Sequence, residues 1–326
     1  MDAIPPSARA VASPSPEGYD GRTYYGRPAL KAAPFEKWVV GGYIFIAGLS
    51  GAAQLLSTVI DLGGQGKGDA VVSRGRWLSL LAPTIGTALL IYDLKTPKRF
   101  YNMLRIAKRT SPMSIGTWIL MSFSAFSGLT FSLDVFSRWF PRLGQIARVT
   151  QLPAAAAGAG LCTYTASLLS ATSTPLWAAA PKSLAVRFSS SSMASGAAAL
   201  SLGARRAGHR RRARDLDTVL LASLALELAA TSAAETTYRE KGVSAGRESG
   251  VLPTAAALGT LLPFGLHALS ALAGNRHTRM QQLASAVALV GSLCLRVGVL
   301  ETGNASANNP QDYFRLARPQ NLPDKT

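Results

Sequence analysis

Residues 38–60 read WVVGGYIFIAGLSGAAQLLSTVI, a run without one charged side chain. Coiled as an α-helix rising about 1.5 Å per residue, it spans roughly 35 Å, enough to cross about 30 Å of hydrocarbon. A helix also satisfies its own backbone N–H and C=O groups, which hydrocarbon cannot do. Comparable apolar runs recur at 77–94, 114–133, 152–171, 184–202, 217–234, 251–273 and 280–300, separated by short basic loops. Over the 326 residues only 16% are charged. The pattern predicts an all-α integral membrane protein of about eight transmembrane helices, arranged as two packed four-helix bundles. Short loops make consecutive spans antiparallel, and an even number puts both chain ends on one side, the terminal face.

The run 184–202 is the most polar of the eight, with Arg187 and the string SSSSMASGAAA. Small residues let helix backbones approach closely, so this segment reads as a packed interior helix. Residues 1–37 form a polar tail rich in Pro, Ser and Ala, without the apolar core of a secretory signal. The transmembrane domain is expected over 38–300, with a polar tail over 301–326.

The formal charge of +17 does not point to nucleic acid, because no soluble domain remains to carry a contiguous basic face. Basic residues beside apolar spans meet anionic headgroups. Lys and Arg divide almost evenly between the two faces, so orientation stays open. Cys162 and Cys294 stand alone inside apolar runs, so no iron–sulfur cluster or structural zinc site is expected in this chain. Of the three histidines, His209 and His277 fall in basic loops and only His267 lies in a span. Without paired axial histidines no haem is expected either.

Ionisable groups inside a span are costly and mark candidate sites. Asp93 ends the second span at the terminal face. Tyr164 lies about two turns inside the fourth span from the same face. Glu227 falls near mid-depth of the sixth, with Glu235 at its exit. Arg296 sits about one turn below that face in the eighth. Asp93 and Glu235 could equally be solvated at helix ends, and Arg296 could snorkel. Glu227 must be protonated or paired, for instance with Arg296. His267 reads as a packing residue, and Arg187 as a cation that pairs with a neighbouring helix or snorkels. Trp38, Trp77, Trp118 and Trp177 near span ends fit an aromatic belt.

Four stretches carry a resemblance. DLKTPKRFYNMLRIAKRTSPMSIGTWIL (93–120), YTASLLSATSTPLW (164–177), LRVGVLETGNASANNPQDYF (295–314) and YYGRPALKAAPFEKWVVGGYIFIAGLSG (24–51) resemble, in order and spacing, the NrfD/polysulfide reductase membrane subunits. Lys95 and Thr96 replace that family's usual Gly-Arg, and Ala166 a glycine. The first span lacks the Asn or His with which some relatives contact quinone, leaving Lys37, Glu36 or Tyr43 to substitute.

The resemblance implies a multi-pass subunit of the bacterial inner membrane that exchanges electrons between quinone, such as menaquinone, and a ferredoxin-like iron–sulfur subunit. That partner would in turn serve a molybdopterin or multihaem catalytic subunit. It implies Tyr164 as a hydrogen-bond donor to the quinone, with Lys37 or Tyr43 beside it. Asp93 or a glutamate, Glu227 or Glu235, would accept protons, with Arg296 nearby. The basic loop after Asp93 becomes a docking surface. A passive anchor and a secondary transporter are the competing readings, although no internal repeat supports the transporter.

Overall fold

A computed structural model of the chain describes residues 30–34, 36–65, 70–94, 96–105, 107–243, 251–274 and 278–321. Most of the amino-terminal tail, Lys95 and His277 lie outside them. Every regular element among the described residues is helical. The helices are α1 (Lys37–Ile60), α2 (Ala70–Ser79), α3 (Thr87–Asp93), α4 (Tyr101–Arg105), α5 (Pro112–Phe136), α6 (Pro141–Ser170), α7 (Pro175–Ala179), α8 (Pro181–Arg206), α9 (Arg210–Lys241), α10 (Val251–Leu272), α11 (Thr278–Asn308) and α12 (Pro310–Leu316).

Local chemistry sets the helix ends. The Glu36 carboxylate accepts from Val39 N at 2.6 Å to start α1. Ser111 accepts from Ser114 N before Pro112 starts α5, and Gly242 ends α9 in the left-handed region at φ 67°. Serine and acidic N-caps fill otherwise orphan N–H groups, and a glycine C-cap tolerates positive φ without a Cβ clash.

Among the described residues six helices are long and apolar enough to cross a membrane: those at Lys37–Gly63, Pro112–Phe136, Pro141–Ser170, Arg210–Lys241, Pro253–Leu272 and Thr278–Asn308. A seventh is reached if Ala70–Asp93 and Pro97–Arg105, bent by 119°, count together. The protein is therefore a multi-pass membrane protein. The expected second span is not one straight helix: α2 and α3 are joined through a π-helical turn, Ala82–Gly86. Pro83 has no N–H to give, and Ser50 of α1 bridges the break. Its hydroxyl donates to Leu78 O at 3.1 Å and accepts from Ala82 N at 3.0 Å. Helix α8 has the length of a span, but its serines and arginines keep it outside the apolar set.

Helix α1 occupies the middle of the fold, packing on α2, α6, α8 and α11. Gly51 and Gly158 bring the α1 and α6 backbones into direct contact, where a Cβ on either would overlap the other strand of backbone. Gly259 and Gly291 do the same for α10 and α11. In hydrocarbon such small-residue contacts supply dispersion where the hydrophobic effect does not.

Both described chain ends meet at one side. Lys37 pairs with Glu301 at 2.6 Å, and Asn304 bonds the backbone of Ala33. Helix α11 continues beyond residue 300 because its polar groups find tertiary partners: the Ser306 hydroxyl, for example, accepts from Leu176 N. Trp177 departs from the belt expectation. It is 1% exposed, and its indole donates to Val299 O at 2.8 Å in a slot that Gly303 leaves open. Trp38, Trp77 and Trp118 are exposed, as a belt requires.

Candidate functional site

Beneath the terminal face, α1, α3, α4, α5 and α6 enclose a cavity of about 590 Å³. Its walls are mostly aliphatic, aromatic and thioether groups, among them Leu90, Ile91, Phe100, Met103, Leu120 and Met121. The break at Pro83 positions this wall, and α4 turns its apolar side chains toward it while Lys98, Arg99 and Arg105 stay exposed. Polar groups are few: Tyr43, Tyr164 and Asp93, with the hydroxyls of Thr87, Thr117, Ser124 and Thr165. This is the composition of a site for an amphipathic ligand, apolar walls with a few fixed hydrogen-bonding groups.

The two tyrosines come from opposite helices and share a hydrogen bond between their hydroxyls. Tyr43 is 4% exposed, so its ring is fixed by packing. The Tyr164 ring lies against Gly116 of α5, where a Cβ would overlap it. This gives the glycine of the SPMSIGTW string a physical reason. Asp93, at the carboxyl end of α3, accepts a hydrogen bond from Glu36 N at 3.2 Å. That contact ties the end of α3 to the start of α1.

The structure brings Asp93, Tyr43 and Tyr164 to one cavity and places the other expected residues elsewhere. Lys37 faces Glu301, with both side chains partly exposed. Glu235 lines a second cavity of about 470 Å³, walled by α7 to α11, together with Arg187 and Tyr238. Glu227 is 3% exposed and accepts from the Thr260 hydroxyl at 2.7 Å.

Arg296 lies deeper than its distance from residue 300 suggested, because α11 runs on for about three turns beyond it. It is fully buried rather than snorkelling. Its guanidinium donates to the hydroxyls of Ser191 at 2.7 Å, Ser192 at 2.9 Å and Ser292 at 2.7 Å, and to Phe188 O at 3.2 Å. The Phe188 ring lies 5.5 Å below it. The serine run of α8 is thus a cradle for a cation as well as a packing surface. The expected Glu227–Arg296 ion pair does not form among the described residues: Glu227 bonds Thr260, while Arg296 is held by the serines.

Sequence reasoning missed a cluster at the opposite end of the helices. Asp61 accepts from Gln151 at 2.8 Å and pairs with Arg148 at 3.2 Å and Arg76 at 3.5 Å. Arg76 also pairs with Asp134. Polar groups therefore collect at both ends of the bundle. The available signal was an acid just past the first run, another just past the third, and a basic residue shortly ahead of the second and fourth, Arg76 and Arg148.

The family model described as polysulphide reductase, NrfD, matches residues 32–307. No curated protein matches the chain.

Proposed function

The chain belongs to the NrfD family, whose members are membrane subunits of quinone-interacting oxidoreductase complexes, and on that premise we propose that it exchanges electrons between membrane quinone and an iron–sulfur partner at the cavity under Asp93. The observation that carries this reading is the convergence of the Tyr43–Tyr164 hydroxyl pair and the Asp93 carboxylate on one apolar cavity. Tyr43 supplies a donor on the first helix, where Asn and His are missing. We also take α2–α3 and α8 as membrane-crossing, giving eight spans in two groups, α1 to α6 and α8 to α11.

Quinol oxidation releases two electrons and two protons. The apolar walls hold the ring and the start of its tail, and exclude water from it. A tyrosine hydroxyl donates to a ring oxygen and fixes the head's orientation. Asp93 takes the two protons in succession and, being at the terminal face, passes each to water before the next arrives. The electrons leave to a ferredoxin-like cluster subunit seated on the same face, over Lys98, Arg99 and Arg105. A molybdopterin or multihaem catalytic subunit completes the complex, in the bacterial inner membrane.

The test is quinol-driven reduction of the iron–sulfur partner by the purified complex. Asp93→Asn should slow it by roughly a hundredfold, the scale of a lost proton-transfer group, and Tyr164→Phe by up to about a hundredfold through lost orientation of the head. Wild-type rates in both variants would show the proposed site to be wrong, and no quinol-driven reduction by the wild-type complex would leave a passive anchor as the answer.

A further inference from the structure

On the outer side of α5, away from the proposed quinone cavity, lies a groove of about 470 Å³. Its floor is Ile115, Trp118, Ile119 and Ser122 of α5 with Ala157 of α6, and its upper end is Ala107, Lys108 and Arg109. Small residues on α6 make the groove: Gly160, one turn on from Ala157, lies so close to Ile119 that a Cβ there would press on it. A tight turn holds the basic end in place. Ser114 accepts from Lys108 N at 2.9 Å, and Lys108 O accepts from Ser111 N at 3.1 Å, folding the loop back over the start of α5.

The charge of this groove is one-sided. No Asp or Glu occurs between residues 94 and 133, and none occurs in α6. Among the described residues neither Lys108 nor Arg109 forms an ion pair. An exposed apolar channel on a membrane-crossing helix, with two cations at its interfacial end, matches one kind of molecule in shape and polarity. We propose that the groove binds an anionic phospholipid, its phosphate against Lys108 and Arg109 and one acyl chain along Ile115, Trp118 and Ile119. The lipid then backs the helix whose other side, through Met113, Gly116 and Leu120, forms a wall of the cavity. The site stands independently of what that cavity holds.

Trp118 is a built-in reporter. The full chain in detergent micelles is titrated with phosphatidylglycerol or phosphatidylcholine carrying brominated acyl chains, and quenching is taken as the difference between wild type and Trp118→Phe. Phosphatidylglycerol should quench at roughly twentyfold lower lipid than phosphatidylcholine, the scale expected for two basic residues at a membrane surface. The Lys108→Gln, Arg109→Gln double variant should lose that preference while still being quenched at the phosphatidylcholine level. Exchanging the cations, Lys108→Arg with Arg109→Lys, should retain it. Equal quenching by both lipids in the wild type, or an unchanged preference in the double glutamine variant, would overturn the site.

Discussion

Gly116 of α5 and the ring of Tyr164 of α6 fill one space: the ring occupies the volume a Cβ at position 116 would need. The hydroxyl of that ring is the one bonded to Tyr43. A single methyl group is therefore coupled to the geometry of the tyrosine pair.

Gly116→Ala should push the Tyr164 ring out of register without removing any polar atom. Misplacement of a positioning group by about 1 Å can cost as much as a hundredfold in rate. Quinol-driven partner reduction should fall by tenfold to a hundredfold on that scale, while the thermal midpoint moves little. An unchanged rate would show that Tyr164 does not orient the ligand.

The carboxylates at Asp93 and Glu227 should separate in what they cost. Glu227 is 3% exposed and offsets the charge of the fully buried Arg296 and the half-buried Arg187. Replacing a buried, hydrogen-bonded carboxylate that offsets a buried cation without touching it costs about 1–3 kcal/mol. Glu227→Gln should lower the stability of the detergent-solubilised chain by that order, and Asp93→Asn by much less. Chemical denaturation of the two variants side by side reads the difference. Equal stabilities would place the counter-charge of Arg296 elsewhere.

At the opposite end, the two partners of one ion pair should differ for the same reason. The Asp61 side chain is 4% exposed and that of Arg148 is 37% exposed. Arg148→Gln should cost no more than about 1 kcal/mol, since solvent screens an exposed cation. Asp61→Asn removes one of the two carboxylates paired with buried Arg76 and turns an acceptor oxygen toward Gln151 or Arg148 into a donor, which should cost about 1–3 kcal/mol. Thermal melts of both variants would sink the argument if the order were reversed.

How far these features were legible follows from what hydropathy measures. A run such as 38–60 declares itself, because lipid-facing and core-facing positions alike must be apolar. Position along a span gives a residue's depth but not its direction around the helix axis. Asp93, Tyr164, Glu235 and Lys37 all fall within about two turns of the terminal face, yet rotation sends Glu235 to one cavity, Lys37 to Glu301, and Asp93 with Tyr164 to another. Hydropathy also cannot register hydrogen bonds supplied from a different helix. The break after Leu81 depends on Ser50, and the length of α11 depends on partners such as Ala33 and Leu176. Three of the four motifs, at 24–51, 93–120 and 164–177, fall on elements that wall the first cavity. The Asp61 cluster carried no such motif and emerged only from packing.

The Ser50 bridge has a mechanical meaning for the cavity wall. The segment from Ala82 to Asp93 is fastened to α1 at both extremities, by Ala82 N to Ser50 and by Asp93 to Glu36 N. A flap needs one loose end, and this segment has none. It is a bracket whose length is gauged against about 21 Å of α1, from Glu36 to Ser50. The height of the Asp93 carboxylate is consequently a property of α1, so a tilt of that helix carries acid and Tyr43 together and keeps their spacing.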